Sequence, residues 1–335
     1  MLQGHQTWQF ENKPVILSSA AVGGPFEAEG ALAEDFDILH GDIWLGQDSF
    51  EKAERKMLEQ ACETAIHKAH YKKEDIQFFL SGDLMNQIIS SGFAARTLGV
   101  PYLGLFGACS TSMESLALGA LLVNSGAAKN ALTATSSHNG ATEKQFRYPT
   151  EYGGQKPPTA QWTVTGAGAA LVGHEGEGPF ITRATIGKVV DMGISDPFNM
   201  GAAMAPAAVE TIQAHFRDTG LEPDYYDIIA TGDLGKVGHH IAADLLDKHG
   251  LKLPPDRLTD CGVKIYKDSQ PVFAGGSGCA CAATVTYGHF LNRMRKGEFK
   301  KILIIATGAL LSPLSFQQHE TIPCVAHAVA IEASS

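Results

Sequence analysis

Apolar positions recur along this chain with two different periods. Short runs rich in β-branched residues alternate with longer runs in which apolar side chains return every three or four residues. The short runs predict strands over Pro14–Ala20, Ile76–Leu80, Leu103–Phe106, Asn130–Thr135, Ala169–Val172, Tyr226–Ala230, Lys301–Ala306 and Val325–Ile331. The longer runs predict helices over Phe50–His70, Asn86–Leu98, Ser110–Asn124, Pro206–Thr219, Gly238–His249 and Cys281–Lys296. Such an alternation predicts an α/β protein with buried, layered sheets.

The same order of elements occurs twice. A strand from Ile76 runs into Ser81-Gly82-Asp83-Leu84 and a helix, and a strand from Tyr226 runs into Thr231-Gly232-Asp233-Leu234 and a helix. Each half then has a Gly-rich turn feeding a helix, FGACSTSMESLALGALL from Phe106 and AGGSGCACAATVTYGHFL from Ala274. A lysine and a strand follow each helix, at Lys129 and Lys301, with Thr135 and Thr307 at equivalent strand ends. Agreement in order, element after element, predicts two pseudo-symmetric halves, 1–174 and 175–335, with a segment of about 136–162 inserted in the first. Ligands in open α/β sheets bind where strand ends and helix N-termini converge, here the crevice between the halves.

Composition narrows the function. An apolar fraction of 44% and a charged fraction of 19% over 335 residues describe a packed protein. A net charge of -10 argues against nucleic acid and against direct adhesion to anionic lipid. No apolar run nears the roughly 20 residues of a membrane helix, and MLQGHQTWQFENK lacks the basic-then-apolar pattern of a signal peptide. Six cysteines, at 62, 109, 261, 279, 281 and 324, show no disulfide framework, which points to a reducing compartment. Cys279 and Cys281 point to nearly opposite sides of a helix, so no zinc site is expected.

The candidate chemistry centres on Cys109. Gly107-Ala108-Cys109-Ser110-Thr111-Ser112 joins a strand to a helix, with Ser110 or Thr111 placed to cap it. A thiol at the positive end of a helix dipole is expected to have a lowered pKa. With the repeat, this turn resembles the thiolase superfamily, which includes the ketoacyl-carrier-protein synthases. There a cysteine opening a buried helix accepts an acyl group, and a His/Asn or His/His pair from second-half loops assists. The resemblance puts those partners after Tyr226–Ala230 and in the second Gly-rich turn, where this chain has Thr231-Gly232-Asp233 and Gly275-Gly276-Ser277-Gly278. The turn that carries a second catalytic cysteine in thiolases reads Ala306-Thr307-Gly308. Claisen chemistry is therefore not expected, although His239 and His240 stand near enough in sequence to be weighed as a replacement base.

A closer, chain-wide resemblance is to the stage V sporulation protein AD family of endospore-forming bacteria. It rests on NKPVILSSAAVGGPFEAEG from Asn12, FDILHGDIWLGQDSFEKAE from Phe36, GACSTSMESLALGA from Gly107, SSHNGATEKQFRYPTEYGGQKPPTAQWTVTGAGA from Ser136, and YYDIIATGDLGKVGHHI from Tyr225. The resemblance implies a non-enzymatic subunit of the sporulation channel complex that binds dipicolinate, largely as its calcium chelate, without a cofactor. It also implies membrane channel subunits as partners and a place against the forespore or spore inner membrane. A flat dianion needs N–H donors, cations and an apolar slot. The candidate contacts are Cys109, Ser110, His138, Arg147, Thr231, Asp233, Gly276, Ser277 and Thr307, with His138 and Arg147 preferred for the carboxylates and no resident metal. An acyl-transferase with a rearranged base and a scaffold with a vestigial crevice stand beside this reading. Asn130–Thr135 is the candidate edge of a homodimer.

Overall fold

The computed structural model describes residues 1–146, 156–254 and 256–334. Ten strands form its sheet: β1 (Val15–Gly23), β2 (Phe78–Gly82), β3 (Tyr102–Gly104), β4 (Asn130–Ser137), β5 (Gly166–Gly173), β6 (Phe180–Ile186), β7 (Ile228–Thr231), β8 (Leu258–Asp260), β9 (Lys301–Ala309) and β10 (Cys324–Glu332). They run in the order β8-β7-β9-β10-β6-β1-β5-β4-β2-β3, with short strands at Leu2–Gln3, Thr7–Gln9 and Ile38–Leu39 attached at the side.

The repeat is visible in the pairing. β2 lies parallel to β3 and β4, β4 is antiparallel to β5, and β5 is antiparallel to β1. In the second half β7 lies parallel to β8 and β9, β9 is antiparallel to β10, and β10 is antiparallel to β6. The halves join where β1 meets β6, at Val15 opposite Phe180. Leu2–Gln9 crosses over, its Thr7–Gln9 strand pairing with β6.

Seven helices complete the layers: α1 (Phe50–Lys68), α2 (Ile89–Leu98), α3 (Thr111–Asn124), α4 (Asn139–Phe146), α5 (Met200–Thr219), α6 (Gly235–Lys248) and α7. The last runs from Cys279–Thr284 through a π segment, Val285–Phe290, into Leu291–Arg295. α3 and α7 are buried between the two halves of the sheet, α1 and α2 cover the first half outside, and α5 and α6 cover the second. The sequence of α3, TSMESLALGALLVN, is apolar or small nearly all round, as a helix between two sheets must be. A Cβ at Gly119 would fall 2.5 Å from the Thr133 methyl, so only glycine lets α3 lie this close to β4.

Three expectations need correction. β4, read as a dimer edge, pairs on both sides and is interior; the exposed edges are β3 and β8. β6 and β8 were not anticipated, β8 because three residues are too few to show a period. α5 begins at Met200, so Pro206 sits inside the helix, not at its start.

Candidate functional site

A cleft of about 120 Å³ opens between the halves at Cys109. From the first half it is lined by Leu84, Phe106, Ala108, Cys109, Thr142, Phe146 and Thr163. From the second come Pro197, Phe198, Met200, Met204, Ser277, Ala309, Leu311, Ser312, Pro313 and Phe316. Among these described residues there is no histidine, asparagine, lysine or arginine.

The turn that presents Cys109 is tightly constrained. Ala108 takes φ +49°, a conformation costly for a residue with a Cβ, as one turn of 3₁₀ helix leads into α3. Ser110 donates back to the Gly107 carbonyl at 2.7 Å, and Thr111 donates to the Ala108 carbonyl at 2.7 Å while accepting from the Gly107 N–H. Neither hydroxyl caps a first-turn amide of α3, contrary to expectation. Ser110 is fully buried behind the cleft wall.

Asp233 lies directly behind the thiol. Thr307 Oγ1 donates to its Oδ1 at 2.7 Å, while Ser277 Oγ at 3.2 Å and the Gly278 N–H at 2.9 Å donate to Oδ2. The negative Asp233 is near enough to act on the Cys109 thiol. Burial pushes Asp233 up to about 6 against the pull of those donors. The Cys109 thiol is pushed well above its ordinary value, first by burial and then by the negative Asp233. The expected lowering by the helix dipole is overturned: the dipole's fraction of a charge loses to desolvation and a full carboxylate. A short parallel pairing, Trp162–Thr163 with Gly276–Ser277, sets Thr163 beside Ser277 in the wall.

The other predicted contacts separate. His138 is fully buried, its Nε2 on the Ile43 carbonyl at 2.9 Å and its Nδ1 accepting from the Gly140 N–H at 3.1 Å. Its ring stacks on Phe50, so it caps α4 and does not reach the cleft. Thr231 turns away to Asp260 Oδ2 at 2.7 Å. Gly276 lies behind the wall, its carbonyl held by the Gln161 amide. Thr307 acts one layer back, through Asp233. Arg147 lies outside the described residues. His240 is exposed on α6 and His239 half-buried there, neither lining the cleft. Cys279 and Cys281 do diverge, Sγ of the first to Ala108 O and of the second to Gly232 O. Among the described residues, no group of three His, Cys, Asp or Glu could hold a metal ion.

Sequence reading missed Thr142, Thr163 and the walls from 197–204 and 309–316. These walls come from the start of α5, the end of β9, a short helix Pro313–Gln317 and the segments leading into them, so only an aromatic-and-methionine composition (Phe198, Met200, Met204, Phe316) hinted at a lining.

A five-layered pair of half-sheets with a cysteine opening a central helix defines the thiolase-like fold, and solved structures agree. A 3-oxoacyl-[acyl-carrier-protein] synthase III from Aquifex aeolicus VF5 superposes with a TM-score of 0.58 at 14% identity, covering 95% of this chain and 99% of that one. A variant of OleA from Xanthomonas campestris gives a TM-score of 0.64 at 13% identity, covering 96% and 98%. The family model for stage V sporulation protein AD (SpoVAD) matches residues 4–332. The stage V sporulation protein AD of Bacillus subtilis (strain 168) is 50% identical over 331 residues, 99% of this chain and 98% of that protein. The chain belongs to the stage V sporulation protein AD family, and its role is in sporulation.

Proposed function

We propose that this chain is a non-catalytic subunit that binds dipicolinate in the cleft at Cys109. The observation that carries the reading is the company of the thiol: the charged group behind it is a carboxyl, and no imidazole or amide side chain lines the cleft among the described residues. Condensing chemistry needs a thiolate and donors aimed at the acyl oxygen, each worth about 10²–10⁴ in rate. Here burial and Asp233 keep the thiol protonated. The volume, about 120 Å³, is close to the roughly 150 Å³ apolar cavity that takes benzene. Phe106, Phe146, Phe198 and Phe316 supply walls for one flat ring. Family membership supports a ligand of sporulation. The acyl-transferase reading lacks a base, since His239 and His240 stand outside the lining.

Calorimetric titration with dipicolinate tests this. Cys109→Phe should weaken binding at least about tenfold, or 1.4 kcal/mol, while Lys248→Ala, on the exposed end of α6, should leave it unchanged. Unaltered binding by Cys109→Phe would move the ligand elsewhere, and acyl turnover on Cys109 with acetyl-coenzyme A would make the protein an enzyme.

The same reading gives the chain membrane channel subunits as partners. Homodimerisation fits the edge strand β3, where Leu103 is 43% exposed. A monomer mass in light scattering at micromolar concentration would remove the dimer.

A further inference from the structure

We propose that Glu27 is a positioning residue for the cleft: one buried carboxyl in the first half fastens the two strips of chain, 162–165 and 265–277, that set the cleft wall at Thr163 and Ser277. The inference rests on the dipicolinate reading above and extends it to a residue outside the lining.

Glu27 sits in the short helix Pro25–Ala28 just after β1, and it is 1% exposed. Its Oε1 accepts from two directions. The Thr165 N–H donates at 3.1 Å from the first-half strip, and the Tyr266 hydroxyl donates from the second-half strip. The strips meet again beside it. Phe26 packs between Trp162 and Tyr266, with ring centroids 4.8 and 5.5 Å away. Gln270 donates its amide to the Phe26 carbonyl at 2.9 Å, and the Ala31 N–H donates to the Ile265 carbonyl at 3.0 Å.

Both strips lead to the cleft wall. Trp162–Thr163 pairs with Gly276–Ser277, and the Val164 N–H donates to the Ser277 carbonyl at 2.8 Å. Thr165 Oγ1 accepts from the Asn139 N–H at 3.0 Å, at the start of α4, which carries Thr142 and Phe146 into the lining. On the other strip, a Cβ on Gly276 would fall 3.3 Å from the Tyr266 ring, so that ring lies directly under the turn before Ser277. A shift of Thr165 or Tyr266 therefore moves Thr163, Ser277 and α4. Glu27 and Tyr266 themselves do not line the cleft.

The carboxyl is poorly placed to hold a charge. Its Oε2 is buried with no hydrogen-bond partner among the described residues. Burial pushes Glu27 up to about 7, against the pull of Tyr266 and Thr165. Neutral Glu27 keeps both donors on Oε1. Ionised Glu27 is a buried charge with one oxygen unmet, and parting the strips to admit water relieves it. Tyr266 beside it and Cys281 behind Tyr266 are both pushed up by burial and stay neutral. Lys156 lies over the Trp162 ring and pairs with Glu143 at 2.6 Å. Of the other charged groups on these elements, Lys264 is half-buried, and Glu29, Lys267 and Asp268 are exposed.

The test is calorimetric titration of the full chain with dipicolinate, in steps from pH 6 to pH 8.5, on either side of the Glu27 value. Ordinary carboxyls are ionised throughout this range. Wild-type affinity should fall at least about threefold as pH rises. Glu27→Gln stays neutral and keeps a carbonyl for both donors, so it should lose most of that fall; what it keeps belongs to Asp233, at about 6. Tyr266→Phe removes a donor that favours the ionised form, so the midpoint of the fall should move to higher pH. That shift still reads the carboxyl if the Gln variant does not fold. Gln270→Ala loosens the same strips without touching the carboxyl, and should weaken binding equally at every pH with the midpoint unmoved. A flat wild-type profile, a Gln variant that keeps the whole fall, or an unmoved midpoint in Tyr266→Phe would overturn the inference while leaving the dipicolinate reading intact. A midpoint shift in Gln270→Ala equal to that in Tyr266→Phe would do the same, since it would report loosening alone. No binding by the wild type at any pH would overturn the dipicolinate reading, and this inference with it.

Discussion

Asp83 and Asp233 occupy the same place in the two halves, each two residues past the core of a parallel strand in a Gly-Asp-Leu turn, yet they do different work. Asp83 holds the turn after its own strand, accepting from the Met85 N–H at 2.8 Å and the Ser91 N–H at 2.7 Å near the start of α2. Asp233 reaches across to Thr307, Ser277 and Gly278, behind Cys109. The difference lies in the neighbouring edge strand. β8 ends in Asp260, whose carboxylate takes the N–H groups of Leu234 and Gly235, caps the short helix Cys261–Lys264 through Val263 N, and accepts from Thr231. β3 ends in Gly104, which has no carboxylate to offer, so Asp83 must serve its own turn. One carboxylate at an edge strand thus frees another for the cleft.

The largest effect should come from breaking that division of labour. Asp260→Ala leaves three N–H groups unpaired, each worth about 1–3 kcal/mol when buried, and should cost at least about 3 kcal/mol by urea unfolding, while Thr231 keeps its bond to the Thr259 carbonyl. Next comes pH. Asp233 is raised in the folded state, so the native chain binds the extra proton. Stability should therefore fall as pH rises from the ordinary carboxylate range through about 6, and level off above. The drop attributable to Asp233 is up to about 3 kcal/mol at 1.4 kcal/mol per unit, and unfolding midpoints of Asp233→Asn should lack it. Asp83→Ala should cost less, about 2 kcal/mol. It strands two N–H groups but relieves the repulsion that helps hold the buried Glu54 well above the carboxylate range. Thr307→Val and Thr135→Val should each cost about 1 kcal/mol. Only the first removes a donor from Asp233 and should raise its titration midpoint in carboxyl-labelled NMR, since Thr135 donates to the Gly82 carbonyl. An equal shift from both variants would mean the two halves are more alike than their hydrogen bonds indicate.

Much of the fold was legible because periodicity reports local burial. The strands at Ile76, Asn130, Tyr226 and Lys301, the two Gly-rich turns and the repeat itself all follow from residues within one element. The cleft was legible in part: Cys109 and Ser277 line it, and Asp233 and Thr307 stand behind them. Ser110 was read as a contact because it opens a helix, and His138 and Thr231 because they follow strand ends. Ser110 turned instead to the Gly107 carbonyl of its own turn, while the partners of His138 and Thr231 (the Ile43 carbonyl and Asp260) lie where only the folded chain puts them.

By itself, the sequence determined the layered α/β halves, the buried central helices and the position of the cysteine, since each depends on side-chain pattern over a few turns. Only the tertiary structure decided that the thiol is raised and not activated, that β3 and not β4 is the edge, and that segments 197–204 and 309–316 wall the cleft. Those outcomes depend on desolvation and on contacts between residues more than a hundred positions apart, such as Thr163 beside Ser277, and neither is a property of any local stretch of chain.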